Sequence, residues 1–198
     1  FTLEPVVPLL RAEAFVGGID LTVHLGDFNA YPQEILDDAS SFYSFAPETA
    51  ILAVQTRDVA PELWDGYADL SPNAVSASVA RVIGSFQSWI KAFRRHSSAN
   101  LIVHTLEPPP TPNLGVLDAQ SNTGQSAAIR QINDALRTAC AEHNGIYLLD
   151  YVSLISRHGY SHWHDEKKWL TARMPVSASH LIHLAKEWLR FLAPLTGR

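Results

Sequence analysis

A chain of 198 residues, 46% hydrophobic and 18% charged, can bury a sizeable core as one α/β domain and is too short to divide into two of ordinary size. Its formal net charge of −5 gives no overall attraction to nucleic acid or to an anionic membrane. The single cysteine, Cys140, excludes an internal disulfide and a Cys-based zinc site; with no apolar run near the roughly 18 residues that span a bilayer and no signal-peptide pattern, a cytoplasmic protein is expected.

In chain order, Phe1 to Phe15 reads as a helix, with Thr2 or Glu4 as its cap and Pro5 in its first turn, stopped by Gly17-Gly18. Ile19 to Leu25 alternates apolar and polar residues as a strand does, and Gly26-Asp-Phe-Asn29 breaks it as a turn. A helix that opens a doubly wound fold normally follows a strand, so a first strand is expected before Phe1. Residues 30 to 46 suit loop and short helix, and Ile51 to Gln55 suits a buried parallel strand that hands the chain to Gln55-Thr-Arg-Asp58. From Pro72 to His96 the residues Val75, Val79, Val82, Ile83, Phe86, Ile90 and Phe93 recur at helical spacing.

Asn100 to His104 is the next buried strand, left through the stiff Glu107-Pro-Pro-Pro-Thr-Pro112 loop. Gln125 to His143 repeats the helical pattern, with Cys140 on its apolar stripe and a left-handed stop at Asn144-Gly145. Ile146 to Asp150 reads as the last strand, Ser161 to His180 as a long polar loop, and Ser177 to Leu192 as the closing amphipathic helix. Alternating strands and helices predict one three-layer α/β/α domain over residues 1–198. Its sheet is expected to be parallel, five-stranded and flavodoxin-like, with order 2-1-3-4-5.

In such a sheet the residues that follow each strand converge on one edge, which is where ligands bind. The candidates are Thr2, Asp27, Asn29, Arg57, Asp58, His104, Glu107, Trp163, His164 and Asp165. Thr2 suits a helix cap or a nucleophile, and Asp27 a turn or a ligand. Arg57 and Asp58 suit an internal ion pair, or Arg57 an anion. Asp165 with His104 or His164 suits either a general base or a pair that orders the loop. His162-Trp-His-Asp165 crowds metal-capable groups without helical spacing, so no metal is expected, and no cofactor is implied. Lys167, Lys168 and Arg173, and separately Lys91, Arg94 and Arg95, form basic clusters that suit solvent or an acidic partner protein.

Met174-Pro175 followed by His180 resembles the closing-loop frame of SGNH (GDSL-like) hydrolases, with Met174 at the catalytic His position and Thr171 at the Asp position. Methionine has no proton to shuttle, so a triad's general base is missing from that place. Five stretches together resemble the amino-terminal domain of FkbH-like proteins: Phe1-Thr-Leu-Glu-Pro5, the Gly26 turn, Ile102-Val-His-Thr-Leu-Glu-Pro-Pro109, Trp163 to Pro175 and Leu192 to Gly197. That resemblance implies a fragment of a glyceryl-transfer enzyme with a divergent SGNH fold. In the family a glyceryl unit from 1,3-bisphosphoglycerate is loaded onto an acyl carrier protein, whose phosphopantetheinyl arm would be the partner. A haloacid-dehalogenase-type phosphatase domain would come next in the longer protein. Position at the strand ends and in the closing loop offers a candidate catalytic set of Thr2, His104 and Asp165 and substrate contacts from Asp27, Asn29, Arg57, Asp58, Glu107, Trp163 and His164, and positive charge offers docking of an acidic carrier at Lys167, Lys168 and Arg173. Two alternatives stand beside the glyceryl-transfer reading: an SGNH-type esterase, thioesterase or acyltransferase with a rearranged set, and a non-catalytic carrier-docking module.

Overall fold

The computed structural model describes residues 2–196. Phe1, where the first predicted helix begins, and Gly197, which closes the carboxyl-terminal motif, lie outside the described residues. In chain order the elements are α1 (Val6–Val16), α2 (Tyr31–Leu36), α3 (Ser41–Ser44), β1 (Thr49–Leu52), α4 (Thr56–Val59), α5 (Pro61–Trp64) and α6 (Pro72–His96). They continue as β2 (Asn100–His104), α7 (Gln125–Ala141), β3 (Ile146–Leu149), α8 (Tyr151–His158), α9 (Tyr160–Trp163), α10 (Glu166–Ala172) and α11 (Leu181–Leu195). Short 3-10 turns cover Tyr67–Asp69, Gly115–Gln120 and Ala178–His180. Among the described residues, no helix is long and apolar enough to cross a membrane.

The chain forms two compact units, Ile51–Val152 and a discontinuous one made of Phe1–Ala50 with Ser153–Arg198. The small parallel sheet has three strands in the order β1-β2-β3, of which β2, β3 and the second half of β1 belong to the continuous unit. Leu101 of β2 stands beside Ile146 of β3, and His104 beside Leu149. The two long helices of that unit form for reasons visible in their sequences. Ser71 caps α6 by accepting from the Ala74 amide at 3.2 Å, Pro72 opens the first turn, and Arg94, Arg95 and His96 face the negative end of the helix dipole. The α6 residues Val79, Val82, Phe86, Ile90 and Phe93 are buried at helical spacing, as are Ile129, Ile132, Leu136 and Cys140 of α7, and the two helices pack together. Burial also pushes the Cys140 thiol up to about 11, which leaves it an inert core group.

In the discontinuous unit α1 packs on α11, with Val6, Leu10 and Ala14 buried on one helix and Leu184, Ala185, Trp188 and Leu192 on the other. Partly exposed ion pairs, Lys186 with Glu13 at 3.7 Å and Arg157 with Glu187 at 3.0 Å, add little to this apolar contact.

Four expectations are corrected. The sheet has three strands among the described residues in place of five. Ile19 to Leu25 alternates as expected but joins no ladder, because alternation marks which side of a segment is apolar and not whether a sheet edge is there to receive it. The helix α1 starts at Val6 from Pro5, which carries no side chain able to cap it, so neither Thr2 nor Glu4 is its cap. Ser161 to His180 is no open loop, since it contains α10 and an antiparallel bridge between His164 and Val176.

Candidate functional site

The continuous unit gathers its polar residues where β1 and β2 end. After β1 the chain turns within three residues into α4, bringing Gln55, Thr56 and Arg57 into the interior, and after β2 it continues through His104 and Thr105 to Glu107. The Thr56 hydroxyl donates to the Glu107 carbonyl at 2.5 Å, so the two strand exits are tied to each other. Glu107 is 0% exposed and so is Gln55. Among the described residues, neither the Glu107 carboxyl oxygens nor the two ends of the Gln55 amide have a hydrogen bond of normal geometry. Buried polar groups in native proteins are nearly always satisfied, so hydrogen-bonding capacity left over at the end of a parallel strand points to a ligand.

Burial sets the charge states of this cluster. It pushes the Glu107 carboxyl up to about 8; backbone amides and the Arg57 guanidinium pull the other way without offsetting it, and Asp58 adds to the rise. Near neutral pH the side chain is therefore mostly a neutral acid that can donate a hydrogen bond. Burial holds His104 down at about 3, a neutral imidazole whose ring lies 5.1 Å from that of Tyr151. Arg57 rests its guanidinium 4.5 Å from the centroid of the Trp64 ring.

The backbone around the cluster is fixed by side-chain amides. Asn133 of α7 clamps Leu106 on both sides, accepting from its N–H at 2.7 Å and donating to its carbonyl at 2.8 Å. Gln125 donates to the carbonyls of Leu63 and Trp64, each at 2.8 Å, and accepts from the Asn113 amide at 2.8 Å. Gly124 passes so near Asp118 that a Cβ there would stand 2.7 Å from the Asp118 carbonyl oxygen. Sequence reading missed Gln55 and Asn133 as site residues. Asn133 carried a signal, a polar residue beside Ile132 on the buried stripe of a helix.

In the discontinuous unit Thr2, beyond the amino end of α1, donates its hydroxyl to the Ala172 carbonyl at 2.9 Å, and its N–H reaches the Arg173 carbonyl at 2.9 Å. Asp165 caps α10, accepting from the Lys168 amide at 2.9 Å, and sits 3.9 Å from the Lys168 ammonium. Trp163 is wholly buried, and His164 lies near Tyr160 with ring centroids 6.0 Å apart. Thr171 donates back to the Lys167 carbonyl at 2.9 Å, within α10. Asp27 and Asn29 stand in an exposed turn, with Asn29 at φ 58°, that follows no strand. Lys167 and Arg173 are exposed on and just after α10, where the Arg173 guanidinium lies 5.1 Å from the Trp169 ring. Among the described residues no group of three or more His, Cys, Asp and Glu side chains could hold a metal ion.

The fold and these strand ends define a small parallel α/β domain with a buried polar cluster where ligands of such sheets bind. The family description "FkbH, N-terminal domain" matches residues 8–193, and the chain belongs to that family. No curated protein matches it. It is similar to a crystal structure of the N-terminal part of protein BF1531 from Bacteroides fragilis, a protein described as containing a phosphatase domain and complexed with Mg. The TM-score is 0.80 at 11% identity, over 97% of this chain and 49% of that one, so the likeness is one of fold and this chain spans about half of that chain's length.

Proposed function

We propose that this chain is the acyl-handling domain of a glyceryl-transfer protein, binding and orienting a glyceryl or related acyl unit destined for an acyl carrier protein in a polyketide-type pathway. It works beside a haloacid-dehalogenase-like domain of the same protein. Family membership supports the setting, and the buried Gln55 amide and Glu107 carboxyl, which have no hydrogen bond of normal geometry among the described residues, carry the binding role. A neutral carboxyl and a primary amide offer donors and acceptors to the hydroxyls of a glyceryl unit, and the Arg57 guanidinium suits its carboxylate or phosphate. The scaffold reads as a divergent SGNH fold that has given up hydrolysis, since Met174 occupies the position of the catalytic base.

Calorimetric titration of the chain with 3-phosphoglycerate and with glyceryl-pantetheine thioester tests this. Binding is expected for at least one of them and should weaken by about 10- to 100-fold in Arg57→Ala, the range for losing a charged hydrogen bond. No binding to the unaltered chain, or equal affinity in a folded Arg57→Ala variant, would sink the reading. A second reading, in which the domain only docks the carrier, is favoured by α10, where Lys167 and Arg173 flank Leu170, itself 74% exposed.

A further inference from the structure

The discontinuous unit holds a second arrangement that the strand-end cluster does not use. The Ser177 hydroxyl lies 2.7 Å from His180 Nδ1, and the far nitrogen of the same ring, Nε2, lies 3.3 Å from the His158 carbonyl. A carbonyl oxygen only accepts, so this contact is a hydrogen bond when Nε2 carries the proton. In the neutral ring Nδ1 is then left as a lone pair facing the hydroxyl. That is the order of a nucleophile, a base and a group that orients the base.

Neighbouring rings hold the imidazole in place. Trp163 lies 5.3 Å from it and His183 lies 5.8 Å away, while His183 is stacked on His158 at 3.8 Å. Ser177 is half-buried, so a reagent can reach its hydroxyl. The Ser179 hydroxyl also approaches Nδ1, at 3.1 Å, and Ser177 has another acceptor in the His162 carbonyl at 2.9 Å. A hydroxyl has one proton, so a Ser177 that donates to His162 leaves Nδ1 to accept from Ser179 or to carry a proton itself. The two bonding patterns therefore differ in what His180 Nδ1 carries and which serine faces it.

We infer that Ser177 is a nucleophilic hydroxyl, activated by His180, that takes up an acyl group from a thioester. The Ser177 oxygen forms a bond to the acyl carbon and the carbon–sulfur bond breaks. The hydroxyl proton passes to His180 Nδ1 and from there to the departing thiolate, leaving an ester on Ser177 and a free thiol. No oxidant, metal or further reactant is required. The inference concerns residues of the discontinuous unit alone and stands or falls independently of binding at Arg57 and Glu107.

The test uses the full chain with two probes, a fluorophosphonate and acetyl-N-acetylcysteamine, read by intact mass and peptide mapping. Each is expected to add one group, on Ser177. Ser177→Ala should abolish the addition and Ser179→Ala should leave it in place. His180→Ala should slow it by about 100-fold or more, the lower range for losing a general base, with partial rescue by added imidazole. Nitrogen-15 spectra of the unaltered chain should show His180 protonated on Nε2 and bare at Nδ1, a measurement that needs no variant to fold. An Nδ1–H tautomer, no labelling, labelling that survives Ser177→Ala or a rate indifferent to His180→Ala would overturn the nucleophile. Fluorophosphonate labelling without acyl uptake would overturn the thioester as its substrate.

Discussion

The strand-end cluster buries two ionisable side chains whose responses to pH have opposite signs. In the unfolded chain Glu107 ionises near 4.5 and in the folded protein near 8. Between these values the unfolded state gives up a proton that the folded state keeps, so Glu107 removes stability as pH rises from about 4.5 to 8. His104 acts from the other side: unfolded it takes a proton below about 6.5 and folded only near 3, so stability is lost as pH falls through that window. Glu107→Gln should remove the first effect alone. Urea unfolding of both proteins at pH 5, 7 and 9 is expected to show the variant gaining on the parent as pH rises, by on the order of a few kcal/mol at pH 9. Curves that stay parallel would mean that Glu107 is not held as a neutral acid.

At the scale of the element, α10 shows what a cap contributes. Asp165 accepts from the Lys168 amide, and its ion pair with Lys168, at 3.9 Å and partly exposed, adds little. Asp165→Ala should therefore cost about 1 kcal/mol, and Asp165→Asn much less, because an amide oxygen caps as well as a carboxylate. Thermal melts of the two variants check this; equal losses would assign the stability to the charge. The signal for α10 was present in the sequence as Asp165-Glu-Lys-Lys, a capping residue followed by an acidic first turn, and the polarity of the stretch hid it. The elements legible in advance were those with an uninterrupted period: α6, α7, β2 and β3 match their predicted spans to within two residues. That Ile19 to Leu25 forms no strand could not be read from the sequence, because pairing depends on a neighbour that no local pattern encodes. At the strand ends, Arg57, His104 and Glu107 were legible from position alone. Gln55 and Asn133 acquire their roles only through burial and contact, and Ser177 and His180 through their distance from each other.

At the scale of the whole molecule the net charge is −5, yet α10 and the residue after it present Lys167, Lys168 and Arg173 beside the exposed Leu170. An acidic carrier would meet an apolar contact ringed by positive charge, and such charges act mainly on the rate of encounter. Reversing all three to Glu is expected to lower the association rate with a carrier protein about tenfold at low salt, with the difference shrinking as salt rises. Stopped-flow mixing measures it, and a rate unaffected by reversal would place docking elsewhere.

The interruption of one unit by the other bears on how the protein is made. Ile51–Val152 is a continuous stretch in which β2 pairs with β3 and α6 packs on α7, so these elements can meet once its last residues leave the ribosome. The unit around it cannot do the same, because α1 buries its apolar face on α11, at the opposite end of the sequence. During synthesis Val6, Leu10 and Ala14 wait for α11, a partner that emerges only after the whole of the continuous unit. The nascent chain thus carries an uncovered apolar helix until α11 emerges, a surface of the kind that a holdase chaperone covers.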